Sequence, residues 1–402
     1  MSKRIAVVYP AGIMSAWDVA DGIPRTLKRM GYEVLDLPRG RWGQPAARVA
    51  DLNECDLIIV SGAEHVLAKD RFGFWDEVSR EDWLTKVKAP KAAWYHESFT
   101  REDENTDFAA LRPLLDFHFF PAVQDAETYC QPHFGVPDRC HYLPFGADTE
   151  IFKPNLCPQC RNGPPASDCI TCLGVGTLPS GKDIDIGFIG SLYGPRLTYL
   201  DRLRPHLKGV SLLCGNVAVQ DIEGPSPEET ALRLAANYRR IKVFLNLPSL
   251  SQLLVTKAVE VMACGTFLLQ PALGAAAGKN MELFAHTRHL VYYRHTNLGF
   301  LAQILREFME RDLDREVIAA AGCKEVREKH SLRLRLTEML GKCGFGAPPG
   351  PEECLGITRP GGSEASEGAG TPRSAKTESG PSGEAAGASE AIRGVRENNG
   401  QL

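Results

Sequence analysis

Four cysteines, Cys157, Cys160, Cys169 and Cys172, form two CxxC pairs in the run C-P-Q-C-R-N-G-P-P-A-S-D-C-I-T-C. Each pair can turn two thiolates toward one ion, and four thiolates suit tetrahedral zinc. A complete thiolate shell leaves no open position for water or substrate, so the expected role of the zinc is structural; a redox pair is the alternative. Arg161 is the sole basic residue between the first and last of these cysteines, which argues against a phosphate grip.

A second constellation lies in Lys242–Pro271. Two apolar runs, Val243–Leu245 and Phe267–Leu269, are too short for helices and suit buried parallel strands. Between them, Lys257 and Glu260 are the charged residues of a short helix of apolar and small residues. A cation and an anion one turn apart at the carboxyl end of a parallel strand sit where an α/β fold binds ligands. The plainer alternative is a surface salt bridge. Upstream, D-I-G-F-I-G-S-L-Y-G-P-R runs from Asp185 to Arg196. It reads as a strand followed by Gly190, Ser191, Gly194 and Arg196. Glycines let the backbone approach an anion, and an arginine adds a fork of donors. Taken with Lys257 and Glu260, this places two cations on a diphosphate and a carboxylate on a ribose.

The first half supplies titratable groups at the same kind of edge. His96 and Glu97 end a strand in W-Y-H-E-S, placed either for a substrate or as a strand-end cap. Asp18 and Gly12 follow the first strand, where an aspartate serves as a base or caps a helix. Glu64 and His65 follow the third strand.

The elements that must position these residues alternate. Strands are expected at Arg4–Tyr9, Glu33–Leu37, Asp56–Ser61, Lys91–Tyr95, Phe117–Pro121 and His141–Gly146. Helices fit between them at Asp18–Met30, Thr106–Leu115 and Gln124–Gln131. A second alternating series opens at Asp183, with strands at Ile184–Ile189, Ser211–Cys214 and Leu290–Tyr293 beside the two already named. Its helices are expected at Tyr199–Leu207, Pro227–Arg240, Leu298–Arg311, Leu313–Lys329 and Ser331–Leu340. Strand–helix alternation predicts open parallel sheets covered on both faces, an α/β fold with two Rossmann-like domains. The expected division is 1–150, a linker with the cysteine module at 151–182, a second domain at 183–346 and a disordered tail at 347–402. The tail is rich in Gly, Ser, Ala, Pro and Glu and has almost no large apolar residue to bury.

The chain has 402 residues and a net charge of −4, which gives no electrostatic argument for nucleic acid or an anionic membrane. No apolar run approaches a bilayer-spanning length, and Met1–Arg4 leads directly into a strand, so a cytoplasmic location is expected. The dispersed cysteines, among them Cys55, Cys214 and Cys264, read as reduced core residues.

With these residues in view the sequence resembles GT-B glycosyltransferases, and most closely glycosyltransferase family 4 and the CgeB-like spore-maturation group. Y-L-P-F-G-A-D-T-E-I-F-K-P, I-G-F-I-G-S-L-Y-G-P-R, V-F-L-N-L-P and K-A-V-E-V-M-A-C-G-T-F-L-L carry the resemblance, in the family's order. The cysteine module and the tail lie outside it. The resemblance implies a nucleoside-diphosphate-sugar donor held by the second domain and an acceptor held by the first. By motif position, Glu260 binds the donor ribose, and Arg196 and Lys257 neutralise the leaving diphosphate without a metal. His96 matches a histidine of the related H-E-P motif that contacts the donor sugar near the reacting carbon; here the motif reads H-E-S. Gln252 stands where these enzymes often carry a glutamate that contacts the sugar. An amide still hydrogen-bonds a hydroxyl but cannot stabilise positive charge as a carboxylate does.

If the reaction inverts, His96, Glu97 or Asp18 is the candidate base. The acceptor is open among a glycan, a lipid-linked sugar, a protein and a modified nucleic-acid base. Two other readings stand beside transfer: a sugar-nucleotide epimerase of the same fold, and a non-catalytic scaffold whose zinc module binds a partner or nucleic acid.

Overall fold

The computed structural model of the chain describes residues 3–11, 19–40, 49–66, 84–96, 114–123, 126, 139–155, 181–207, 209–215, 226–248, 254–272 and 280–346. Asp18, Glu97, Gln252, Cys157, Cys160, Cys169, Cys172, most of the two helices expected at 106–131 and the tail lie outside the described residues. By compactness the chain divides into Met1–Cys354 and Leu355–Leu402, and every described residue belongs to the first unit.

The first sheet is built from β1 (Arg4–Ala11), β2 (Glu33–Gly40), β3 (Leu57–Ser61), β4 (Lys91–Trp94), β5 (Phe117–Phe120) and β6 (Cys140–Tyr142). The strand order is β2-β1-β3-β4-β5-β6, and every neighbouring pair is parallel. Leu57–Ser61 is buried at every position, as expected of a strand covered on both faces. Helix α1 (Val19–Arg29) lays Ala20, Ile23 and Leu27 against one face. The short helices α2 (Val49–Asn53) and α3 (Ala63–Val66) flank β3.

The second sheet comprises β7 (Ile184–Ile189), β8 (Leu212–Gly215), β9 (Ile241–Leu245), β10 (Phe267–Pro271) and β11 (Val291–Tyr293), in the order β11-β10-β9-β7-β8 and parallel throughout. Its helices are α4 (Gly194–Leu203), α5 (Pro227–Arg240), α6 (Thr256–Ala263), α7 (Leu298–Glu310) and α8 (Asp312–Lys329). Phe188, Phe244 and Phe267 are fully buried in the core between these layers. Burial of each such ring stabilises the fold by about 2–3 kcal/mol.

Local chemistry explains the helix ends. Helix α5 starts where Ser226 Oγ accepts from the Glu229 N–H at 3.1 Å, with Pro227 in the first turn. Two glutamates near its start and two arginines near its end suit the helix dipole. Helix α4 begins earlier than its apolar pattern suggests, at Gly194–Pro195 rather than Tyr199, and passes into a 3₁₀ turn at Arg204–His206. The pattern is weak there because Leu197 faces solvent, 44% exposed.

The last helix, α9 (Leu332–Lys342), follows the second sheet in sequence yet packs on the first. Leu332, Leu336, Met339 and Leu340 join Ile5, Val7, Ile23 and Leu27 in one core. The outgoing and returning chains meet at a bridge between Ala147 and Ser331. There Leu332 N–H donates to Ala147 O at 2.7 Å, and Arg29 grips Asp148 with two hydrogen bonds of 2.7 and 3.1 Å.

The two chain ends that flank the cysteine segment converge on Gly265, in the turn between α6 and β10. Lys182 Nζ donates to Gly265 O at 3.2 Å, and a Cβ at position 265 would lie 3.1 Å from Pro154 Cβ. Gly265 has φ +69°, a conformation that favours glycine. The turn precedes β10, so it lies at the amino edge of the second sheet.

No helix among the described residues is long and apolar enough to cross a membrane. Cys55 and Cys264 are buried free thiols, as expected, and burial raises the pKa of both. The side chain of Cys214 lies outside the described residues.

Candidate functional site

The carboxyl edge of the second sheet gathers the candidate donor-binding residues. Gly190 and Ser191 follow β7, Asn246–Pro248 follow β9, and α6 returns toward the sheet carrying Lys257 and Glu260. Arg196, in the first turn of α4, is 8% exposed. Its Nε donates to Pro248 O at 3.0 Å and its Nη1 to Ser191 O at 2.9 Å. One guanidinium thus ties the loops after β7 and β9 together. Tyr193 shares the same acceptor, its hydroxyl donating to Pro248 O at 3.3 Å, and stacks its ring 4.5 Å from the guanidinium carbon.

Phe188, at the end of β7, brings the two cations together. Lys257 Nζ lies 4.4 Å from the centre of its ring and the Arg196 guanidinium carbon 5.3 Å from it. An aromatic face attracts each cation, and neither forms an ion pair among the described residues. A Cβ on Gly190 would run into Lys257 Nζ, so the glycine supplies the space that the ammonium occupies. Lys257 is half-buried. Burial first, and Arg196 second, push its pKa down from the ordinary 10.5 to about 7, with Glu260 opposing. Burial also lowers the pKa of Arg196, which remains a cation throughout the accessible pH range.

Two of the helices that start at this edge lack side-chain caps. The N-cap positions of α4 and α6 are Tyr193 and Val255, and neither side chain accepts a hydrogen bond from the first turn. Ser226, Asn297 and Ser331 cap α5, α7 and α9, while α8, which follows Arg311, also has no side-chain cap. Uncapped N–H groups beside two cations make a site suited to an anion.

Glu260 points elsewhere. It is 4% exposed, so Lys257 and Glu260 are no surface salt bridge. It lines a cavity with Asp21, Arg25, Asp148, Phe152 and Ala231, where α1 faces α5 and α6. Tyr238 lies fully buried beside it; burial and the Glu260 charge hold its phenol well above the ordinary range.

On the first sheet, His96 stands two residues beyond the end of β4. Its Nε2 is 2.8 Å from Ser61 Oγ, and its backbone N–H donates to Glu64 Oε1 at 2.7 Å. Trp94 and Phe145 meet the imidazole edge-on, with ring centres 6.5 and 5.8 Å away. Gly62, at φ +62°, turns the chain beneath it, and a Cβ there would press on His96 Nδ1 at 3.3 Å.

The structure therefore brings together Gly190, Ser191, Arg196 and Lys257, and gives His96 a built setting. Sequence reasoning missed Phe188, Tyr193 and Pro248, and it gave Ser61 no role. The signal available for Phe188 was an aromatic one residue before the I-G-S turn. Nothing local marked Pro248, whose carbonyl matters only once its loop is folded.

Comparison with known proteins bears on the fold. A family model described as glycosyl transferase-like matches residues 202–341. No curated protein matches the chain. Among solved structures, Anabaena HepE in complex with UDP-glucose superposes with a TM-score of 0.55 at 15% identity, covering 85% of this chain and 99% of that one. Sucrose-phosphate synthase from Thermosynechococcus elongatus gives 0.53 at 13% identity, covering 85% and 98%. An alpha-glucosyltransferase in complex with UDP and a 13-mer DNA containing an HMU base gives 0.54 at 10% identity, covering 86% and 100%. The chain shares their two-domain fold, the GT-B architecture.

Proposed function

We propose that the protein is a glycosyltransferase that moves a sugar from a nucleoside-diphosphate-sugar to an acceptor hydroxyl. The observation that carries this reading is the pair Arg196 and Lys257, poised over Phe188 beside two uncapped helix starts at a sheet's carboxyl edge. Departure of a nucleoside diphosphate builds negative charge on its phosphates. Fixed cations and N–H groups in an enclosed site stabilise such charge well, because they need little reorganisation when it develops.

In this reading Arg196, Lys257 and the main chain at Gly190 and Ser191 hold the diphosphate. Glu260 takes the ribose hydroxyls, and Gln252 contacts the sugar. His96 meets the donor sugar from the first domain, and Glu97 or Asp18 stands as an alternative base if the reaction inverts. HepE and the alpha-glucosyltransferase were both solved with uridine nucleotides, so UDP-sugars are the first donors to test.

A panel of UDP- and GDP-sugars with detection of released nucleotide and of glycosylated product tests the reading. Turnover is expected with at least one donor. Arg196→Ala and Glu260→Ala should each lower kcat/KM by about 100-fold or more, the scale of losing a charged contact to the leaving group or its anchor. Turnover with no donor would overturn the reading.

Four thiolates in CxxC pairs form a donor set suited to zinc, and we propose that Cys157, Cys160, Cys169 and Cys172 hold one structural ion. The roots of that segment lie at Gly265, at the amino edge of the sheet whose carboxyl edge carries Arg196 and Lys257. Metal analysis should find about one zinc per chain. Cys157→Ser should release the zinc while leaving UDP-induced stabilisation intact; loss of both together would tie the module to the donor site.

A further inference from the structure

We infer that Ser61 and Glu64 are the positioning residues that set His96 for its contact with the donor sugar. The inference rests on the sugar-contact reading of His96 and adds two residues to it. Ser61 ends β3, which lies next to β4 with Ser61 paired to Trp94, and Glu64 lies in α3 just beyond it. His96 therefore lies just past β4, anchored by the last residue of the neighbouring strand and by the short helix that follows it.

The anchors act on different parts of the residue. Ser61 is fully buried at the end of its strand, and its hydroxyl at 2.8 Å from Nε2 fixes the rotation of the ring. A hydroxyl both donates and accepts, so this contact also biases which ring nitrogen carries the proton. Glu64 is 8% exposed and accepts from the His96 main-chain N–H at 2.7 Å. It fixes the direction in which the chain leaves β4 and hence the origin of the side chain. Gly62, between the two anchors, leaves the space beside Nδ1 that a side chain would fill. The edge-on walls of Trp94 and Phe145 complete the frame. A buried serine hydroxyl and a nearly buried carboxylate that both bond to His96 hold its ring and its main chain in one orientation. Reactions between held groups lose rate steeply with small misplacement.

The test compares wild type with Ser61→Ala, Glu64→Ala and Glu64→Gln, using nucleotide release from UDP-glucose, UDP-N-acetylglucosamine and GDP-mannose, and thermal stabilisation by UDP. In Ser61→Ala and Glu64→Ala, kcat should fall by about 10- to 100-fold, with donor KM within about threefold and UDP stabilisation unchanged. Ser61→Ala should also move the acidic limb of the kcat pH profile, because the ring loses the partner that biases its tautomer. Glu64→Gln keeps an acceptor oxygen and should restore kcat to within about threefold of wild type. Wild-type kcat in both alanine variants, or a glutamine variant as slow as the alanine one, would overturn the assignment while leaving the transferase reading intact. So would loss of UDP stabilisation in step with turnover, since the contacts would then serve only the fold. Wild type inert toward every donor and unresponsive to UDP would contradict the transferase reading itself.

Discussion

Replacing Lys257 with methionine should raise the melting temperature of the ligand-free protein at pH 7 and abolish most of its stabilisation by UDP. The two effects have one cause. The ammonium lies over Phe188 near Arg196, and its pKa falls to about 7. The unfolded chain keeps an ordinary lysine near 10.5. Between these two values the unfolded state binds more protons than the folded one. Ligand-free stability should therefore rise with pH across that window, and the wild type is held below its potential at neutral pH. Methionine fills similar space without a charge, so the variant gains stability and loses the pH slope. A diphosphate reverses the balance, because it favours the charged lysine and raises its pKa in the complex. Affinity for UDP should be greatest just below pH 7 and fall by up to about tenfold per unit above it. The methionine variant should bind about 100-fold more weakly, the scale of a lost charge-assisted contact, with a flat profile above pH 7. Differential scanning fluorimetry with and without UDP across pH reads all of this. A variant less stable than wild type without ligand, yet equally stabilised by UDP, would mean that Lys257 is a structural residue.

Lys182→Ala should lower the unfolding free energy by about 3 kcal/mol, the loss expected when one partner of a buried ion pair is removed. Lys182 Nζ meets both Glu316 oxygens, at 2.9 and 2.8 Å, and Gly265 O at 3.2 Å. The two side chains are 6% and 7% exposed. Burial pulls the lysine pKa down and the Glu316 carboxylate pulls it back up. Alanine leaves Glu316 beside Arg315 Nε, 3.4 Å away, which softens the loss without satisfying the carboxylate as fully. Adding Glu316→Gln should recover part of the lost stability, since the uncompensated charge is then gone. Urea denaturation measures both variants, with the midpoint falling and the slope unchanged. This residue re-enters the fold directly after the cysteine segment, so the pair secures one root of that segment to α8. UDP stabilisation should be unaffected, because the pair lies by the amino edge of the sheet.

Much of this architecture was legible in the sequence because the local signals agreed. Ile184–Ile189 and Pro227–Arg240 were placed at their observed ends: the first is an apolar run stopped by Gly190, the second a capped helix with proline at its start. Short apolar runs bounded by glycine or proline located the remaining strands to within a few residues. The early start of α4 was missed because its first turn has no apolar stripe, although Pro195 after Gly194 was the available signal. The return of α9 to the first sheet was not readable at all, since it depends on contacts between residues far apart in the chain.

The candidate site divides in the same way. Residue types and positions marked Gly190, Arg196, Lys257 and His96, because glycine turns and charges at strand ends are local features. What each touches was not local. Arg196 was expected to fork onto a phosphate; the fold commits two of its N–H groups to Ser191 O and Pro248 O. The surface salt bridge that was the plainer alternative for Lys257 and Glu260 does not form: the lysine lies over Phe188 while the glutamate lines the cavity shared with α1. Glu64 looked like a bystander after the third strand until the parallel register set it under His96.

The central claim is that Gly190, Arg196 and Lys257 hold a nucleoside diphosphate. Isothermal titration of UDP into the wild-type protein and into Arg196→Ala at pH 6.5 tests it most directly. One saturable site per chain in the wild type, and no saturable heat in the variant, is the predicted result. Equal binding by both proteins, or no saturable binding of UDP, GDP or ADP by the wild type, would contradict it.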